Sequence, residues 1–134
     1  MKALSVKQPW ACLIMENMKD IEVWTWAPPA SIIGHRIFIH TGKQRSIVPS
    51  SVWEQIRELP QPAGYLIGTV TLLSYKTYRS EMEFMRDVHR HKNFPDGFVL
   101  PNTYGWILSN PVKLIDPILF RGNLKLFEVP DDAL

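Results

Sequence analysis

The chain has 134 residues, with 46% hydrophobic, 21% charged and 11% aromatic positions, close to the averages of folded globular proteins, which argues against a disordered or collagen-like chain. Fifteen Lys and Arg against thirteen Asp and Glu leave a formal net charge of +2, too small by itself to indicate a nucleic-acid partner. The only cysteine, Cys12, excludes an internal disulfide and a multi-cysteine zinc cage, and no apolar run approaches the ~20 residues of a membrane helix, so a cytoplasmic protein without a membrane partner is expected.

Taken in chain order, Leu4 to Val6 reads as a short strand, followed by a helix entered through Pro9 with Trp10, Leu13, Ile14 and Met18 on its buried face. Ile21, Val23 and Thr25 alternate with Glu22, Trp24 and Trp26, the pattern of a strand with one aromatic face. Arg36 to His40 is a compact apolar strand that should run into a turn at Thr41-Gly42-Lys43. A second helix is expected with Ser51 as N-cap, Glu54 completing a capping box, and a stop at Pro60. Gly64 to Tyr75 is the longest strand candidate, with a bend expected at Gly68. Ser80 and Glu83 form another capping box, opening a third helix with Met82, Met85 and Val88 on one face and Arg90, His91 and Lys92 near its end. Tyr104 to Leu108, Val112 to Ile115, Ile118 to Phe120 and Lys125 to Val129 read as the last strands.

Strands and helices are interspersed without the regular alternation of a doubly wound parallel sheet. They predict an α+β fold, a small and mostly antiparallel barrel or curled sheet with peripheral helices, and residues 1–134 read as a single domain. General active-site signatures are missing: there is no phosphate-binding glycine loop, no Gly-x-Ser-x-Gly elbow and no His-Glu-x-x-His, and no cofactor is expected. His89 and His91, two apart on a helix, point to different sides, so no metal site is expected there and both are assigned to the surface. Cys12, beside the apolar stripe of the first helix, reads as a small buried hydrophobe.

The informative stretch is Asn17-Met18-Lys19-Asp20-Ile21-Glu22-Val23-Trp24, between the first helix and the aromatic strand. With Ser5-Val6-Lys7-Gln8-Pro9-Trp10-Ala11 before it, Gly34 to His40 after it, and the later segments Tyr104 to Pro111 and Arg121 to Val129, it resembles an ASCH domain, a branch of the PUA-like superfamily. Lys19 and Glu22 match the lysine and glutamate of that family's Gly-x-Lys-x-x-Glu-x-Arg pattern, while Asn17 stands where Gly is usual and Trp24 where Arg is usual. Asn enters left-handed backbone more readily than most residues. Trp24 removes a fixed charge and offers a flat face on which a base can stack.

The resemblance implies a PUA-like β-barrel with a cleft near the motif and an association with RNA or another nucleic acid. The ligand set it suggests is Lys19, Glu22 and Trp24, with Arg36, His40 and Lys43 as either a positive rim or an ordinary solvated strand end. Lys19 precedes the strand, so a turn can aim it inward beside Glu22 as a partly buried ion pair; a structural tie between helix and strand is the competing reading. The alternative activity is hydrolysis of RNA or of a nucleoside-like small molecule such as an acylated cytidine, with Lys19 polarising, Glu22 transferring protons and Ser109 supplying a hydroxyl. Against it, the amidohydrolase relatives carry a threonine nucleophile at the position of Glu22. A third reading is recognition of a protein or metabolite through the aromatic surface.

Overall fold

In the computed structural model, which describes residues 1–134, every strand joins one six-stranded sheet. The elements are β1 (Lys2–Gln8), α1 (Trp10–Met15), β2 (Ile21–Trp24), β3 (Arg36–Arg45), α2 (Ser50–Glu54), β4 (Tyr65–Tyr78), α3 (Glu81–Arg86), α4 (Val88–His91), β5 (Thr103–Leu119) and β6 (Leu126–Glu128). The order across the sheet is β2-β5-β4-β3-β1-β6; β1 and β3 run parallel and every other neighbouring pair is antiparallel. The sheet curls into a half-barrel with four small helices, the α+β architecture expected from the sequence.

Alternation along the strands builds a core on both faces of the sheet. Leu4, Val6, Ile37, Ile39, Val70 and Leu72 pack with Trp106 and with Ala11, Ile14 and Met15 of α1, while the intervening Ala3, Phe38 and Leu66 pack with Phe127 and Val129. Burial on both sides explains why β3 reads as an unbroken apolar run rather than an alternating one.

Several elements differ from expectation, each for a local reason. The helix α1 ends at Met15, so the 3.6-residue spacing stops there and Met18 lies at the surface. Its start is capped by the Gln8 side chain, whose oxygen accepts from Cys12 N at 3.0 Å, with Pro9 as the N-cap residue. No turn forms at residues 41–43, because β1 continues to pair with β3 through Val6–Thr41 and Gln8–Arg45. The expected Ser51 cap is absent: the N-cap residue of α2 is Pro49, two residues earlier, and it offers no side-chain cap. The Ser80 cap forms as expected, its hydroxyl accepting from Glu83 N at 3.1 Å. That helix then breaks at Asp87, so the Met82, Met85, Val88 spacing has no continuous face; Met82 and Val88 are exposed and Phe84 is the buried residue. The three short strands expected between Tyr104 and Phe120 merge into β5, interrupted by register shifts against β4. Only residues 104–107 of β5 pair with β2, so Pro111 and Pro117 fall on an open edge where their missing N–H costs no ladder bond.

The bend expected at Gly68 is present as register shifts on both of its neighbours. A Cβ at Gly68 would meet the Val112 carbonyl at 2.6 Å as well as the end of Met15. Gly68→Ala is therefore expected to lower stability by about 1–3 kcal/mol, read from urea unfolding midpoints at unchanged m-value.

Candidate functional site

The site begins where α1 stops. Asn17 takes left-handed backbone at φ 59°, and the N–H groups of Met18 and Lys19 both return to the Leu13 carbonyl. This tight turn sends the Lys19 side chain into the interior just before β2 brings in Glu22 from the other side. Their charged atoms lie 3.4 Å apart, with the side chains 0% and 6% exposed. Lys19 Nζ also donates to the carbonyl of His91 and sits 4.7 Å from the centre of the Trp10 ring. Glu22 Oε1 accepts from Val23 N at 3.1 Å. Burial pushes the Lys19 ammonium below the usual lysine range, and the Glu22 charge opposes that shift.

His91, assigned to the surface together with His89, is fully buried. Its ring stacks on Phe84 with centroids 4.1 Å apart, Nε2 donates to the Phe84 carbonyl at 2.7 Å, and Nδ1 accepts from Asn93 N at 3.0 Å. Both nitrogens are thus matched in the neutral form, and desolvation holds the imidazole below its ordinary proton affinity. The sequence signal for this was Phe84, two helical turns upstream. His89 is exposed, as expected.

Two cavities open above this layer. The first, about 770 Å³, has Trp10 as a wall together with Lys7, Arg45, Asn93, Phe94 and Asp96. The second, about 1220 Å³, contains Trp24, His40, Lys43, Arg121, Gly122 and Lys125. Lys7 and Gln44 line both, which joins them into one groove. Its walls carry five Lys or Arg side chains and one carboxylate, Asp96.

Of the residues expected to bind a ligand, Trp24, His40 and Lys43 come together in the second cavity. Trp24 belongs to a cluster with Trp26 and Trp106, centroids 5.5 and 6.2 Å away. His40 Nε2 donates to the Phe120 carbonyl at 2.7 Å, Nδ1 is buried without a partner, and Gly122 lies so close to the ring that no Cβ fits there. Desolvation lowers the His40 proton affinity, against the opposing effect of that carbonyl. Lys19 and Glu22 line neither cavity; a molecule entering the first meets Trp10, whose ring covers the ammonium. Arg36 is engaged elsewhere, with Thr71 Oγ1 at 3.1 Å, Thr69 Oγ1 at 2.5 Å and the Asn110 carbonyl at 2.6 Å. Ser109 stands opposite Thr71 in the β4–β5 ladder; its neighbour Leu108 donates to the Asp20 carbonyl, but Ser109 makes no side-chain hydrogen bond to the pair. Lys7, Arg45, Arg121 and Lys125 were not singled out as ligands, because they come from segments that only the sheet order brings together.

No family model matches the chain. Its sequence is similar to Activating signal cointegrator 1 from Homo sapiens and from Mus musculus, 27% and 25% identical over 138 aligned positions that cover 94% of this chain. The chain spans about a fifth of the length of those curated relatives, 22% in each case. The solved structure of ASCH from Zymomonas mobilis superposes with a TM-score of 0.70 at 16% identity, covering 98% of this chain and 89% of that one. The chain has the ASCH fold. Two single-residue variants of the Zymomonas mobilis protein superpose equally, at 14% and 16% identity over 89% and 91% of their chains. Within this ASCH fold, Lys19 and Glu22 sit at the junction of helix and first aromatic strand, where the sequence pattern located them.

Removing one member of a buried ion pair strands the other charge, so Lys19→Met is expected to cost about 3–5 kcal/mol. Lys19→Met combined with Glu22→Leu should cost clearly less than the two single changes added together, and a double-mutant cycle by chemical denaturation measures the difference.

Acid should also weaken the fold. His40 and His91 have lowered proton affinities when folded, so below the unfolded-state value near 6.5 the unfolded chain takes up protons that the native state resists. Their stabilising contribution is complete above that value and is lost as pH falls toward the folded-state values. Melting temperature should therefore drop between pH 7.5 and 5.5, with the two buried imidazoles titrating below 6.5 in NMR spectra.

Proposed function

We propose that residues 1–134 act as one RNA-binding module, holding a single strand along the two joined cavities. The observation that carries this reading is the groove's charge: Lys7, Lys43, Arg45, Arg121 and Lys125 line it against the single carboxylate of Asp96, although the whole chain has a net charge of only +2. A groove this biased attracts a polyanion through release of its counterions. Trp10 and Phe94 in one cavity and Trp24 and Phe120 in the other add aromatic surface, the combination that single-stranded nucleic acids use. The resemblance of the Lys19 and Glu22 motif to the ASCH pattern favours RNA over DNA as the polymer.

In this reading the buried pair is support rather than contact. Lys19 fixes Trp10 from behind and ties the His91 carbonyl to the same point, so the cavity wall is rigid before a ligand arrives. Trp24, His40 and Lys43 are the expected ligand residues that remain in position to touch the strand.

Fluorescence anisotropy with a labelled single-stranded RNA over a salt series tests the proposal. Three to five phosphate contacts predict that log K falls with log salt at a slope of about −2 to −3.5. Lys43→Ala and Lys125→Ala should each weaken binding and make that slope shallower by about 0.7, while unlabelled DNA of the same sequence should compete less well than RNA. Affinity that does not change with salt would refute the phosphate contacts.

A further inference from the structure

His40 stands in the wall of the second cavity with only 3% of its surface exposed. Its Nε2 lies 2.7 Å from the Phe120 carbonyl, an atom that only accepts, so Nε2 carries the proton and Nδ1 of the neutral ring holds a lone pair. Nδ1 is buried and receives no hydrogen bond. A Cβ built on Gly122 would lie 2.7 Å from it, so the glycine hydrogen that occupies that direction already presses on the ring edge.

A second proton, on Nδ1, has neither an acceptor nor room. Across the sheet His40 neighbours Ser5 on β1 and Leu66 on β4, and the Phe127 ring of β6 meets it edge-on at 5.3 Å. None of these is a carboxylate, and Ser5 makes no side-chain hydrogen bond to the ring. The charged side chains that share the cavity are Lys7, Lys43, Arg121 and Lys125, all cations that oppose a further positive charge. Charging the ring therefore requires Gly122 to withdraw. The chain there is held at its two ends, by Phe120 N on the Gly64 carbonyl at 3.1 Å and by Ser5 N on the Lys125 carbonyl at 2.9 Å, while residues 121–124 make no backbone hydrogen bond. Withdrawal of Gly122 thus carries Arg121 out of the groove wall without breaking the sheet.

We infer that His40 is a positioning residue for the RNA groove: only its neutral form lets residues 121–124 close against the cavity, so strand binding and protonation of His40 exclude each other. This rests on the RNA-binding reading above and names the regulation of that site. The sign sets it apart from ordinary electrostatics. A histidine that touches phosphate gains charge on binding, and affinity then rises in acid. Here affinity falls in acid, and by linkage bound RNA makes His40 harder to protonate.

The experiment is anisotropy with a labelled oligouridylate that ends in hydroxyl groups, so that no terminal phosphate titrates near pH 6. Readings run from pH 7.5 to 5.5, over the range in which far-UV circular dichroism is unchanged. Wild-type affinity should fall by about two- to fivefold across that range. His40→Gln, whose amide supplies a donor in place of Nε2 but does not titrate, should bind equally at both ends of it. Gly122→Ala is read at pH 7.5, where acid plays no part; it should bind more weakly, with a salt slope shallower by about 0.7 for the lost contact of Arg121. Wild-type affinity that is constant or rises in acid, a pH dependence that survives in His40→Gln, or Gly122→Ala that binds as wild type overturns the role of His40 while leaving RNA binding intact. Failure of wild type to bind at any pH overturns the RNA-binding reading and this inference with it.

Discussion

The buried ammonium of Lys19 organises one end of the molecule. It reaches Glu22 on β2, the ring of Trp10 on the preceding α1, and the His91 carbonyl at the end of α4, so two neighbouring elements and one distant in sequence converge on one charge. A lone ammonium in this position would lose several kcal/mol of hydration. The arrangement persists because each donor direction is met: carboxylate, carbonyl and aromatic face. Specificity follows from the same demand, since shifting any of the three elements leaves an unmatched charge in the interior.

Around that point the groove is assembled by topology. The parallel pairing of β1 with β3 sets Lys7 beside Lys43 and Arg45, and the return of β6 alongside β1 brings Arg121 and Lys125 to the same side. His40 holds the segment that carries Arg121: its Nε2 bonds the Phe120 carbonyl and its ring packs under Gly122, a position where any side chain would collide. The cationic surface is thus fixed by backbone contacts to a neutral imidazole rather than by pairing its own charges.

The parts that could be read from sequence are those with local causes. Asn17 was readable as a residue that accepts left-handed backbone, although the helical spacing by itself runs on to Met18; that conformation follows the end of α1 and sets the inward course of Lys19. The Ser80 cap and the Gly68 irregularity are equally local. What could not be read depends on partners distant in the chain: the extension of β3 through Gly42 needs β1, the burial of His91 needs Phe84 and the Asn93 amide, and the groove needs β6 beside β1. The Lys19 and Glu22 pairing was legible because a family pattern marks it, while its enclosure under Trp10 was not, since the spacing that put Trp10 on the core face carries no information about a cation beneath the ring.

The free edge of β5 has a consequence for the behaviour of the protein in concentrated solution. Beyond the reach of β2, this edge bears exposed Val112, Ile115 and Leu119, side chains that favour strand addition. Pro111 and Pro117 interrupt its row of donors at two places, and Lys113 and Asp116 add charge between them. An incoming strand would find neither a continuous ladder nor a neutral surface, so the sheet ends at six strands instead of serving as a template for fibrous growth.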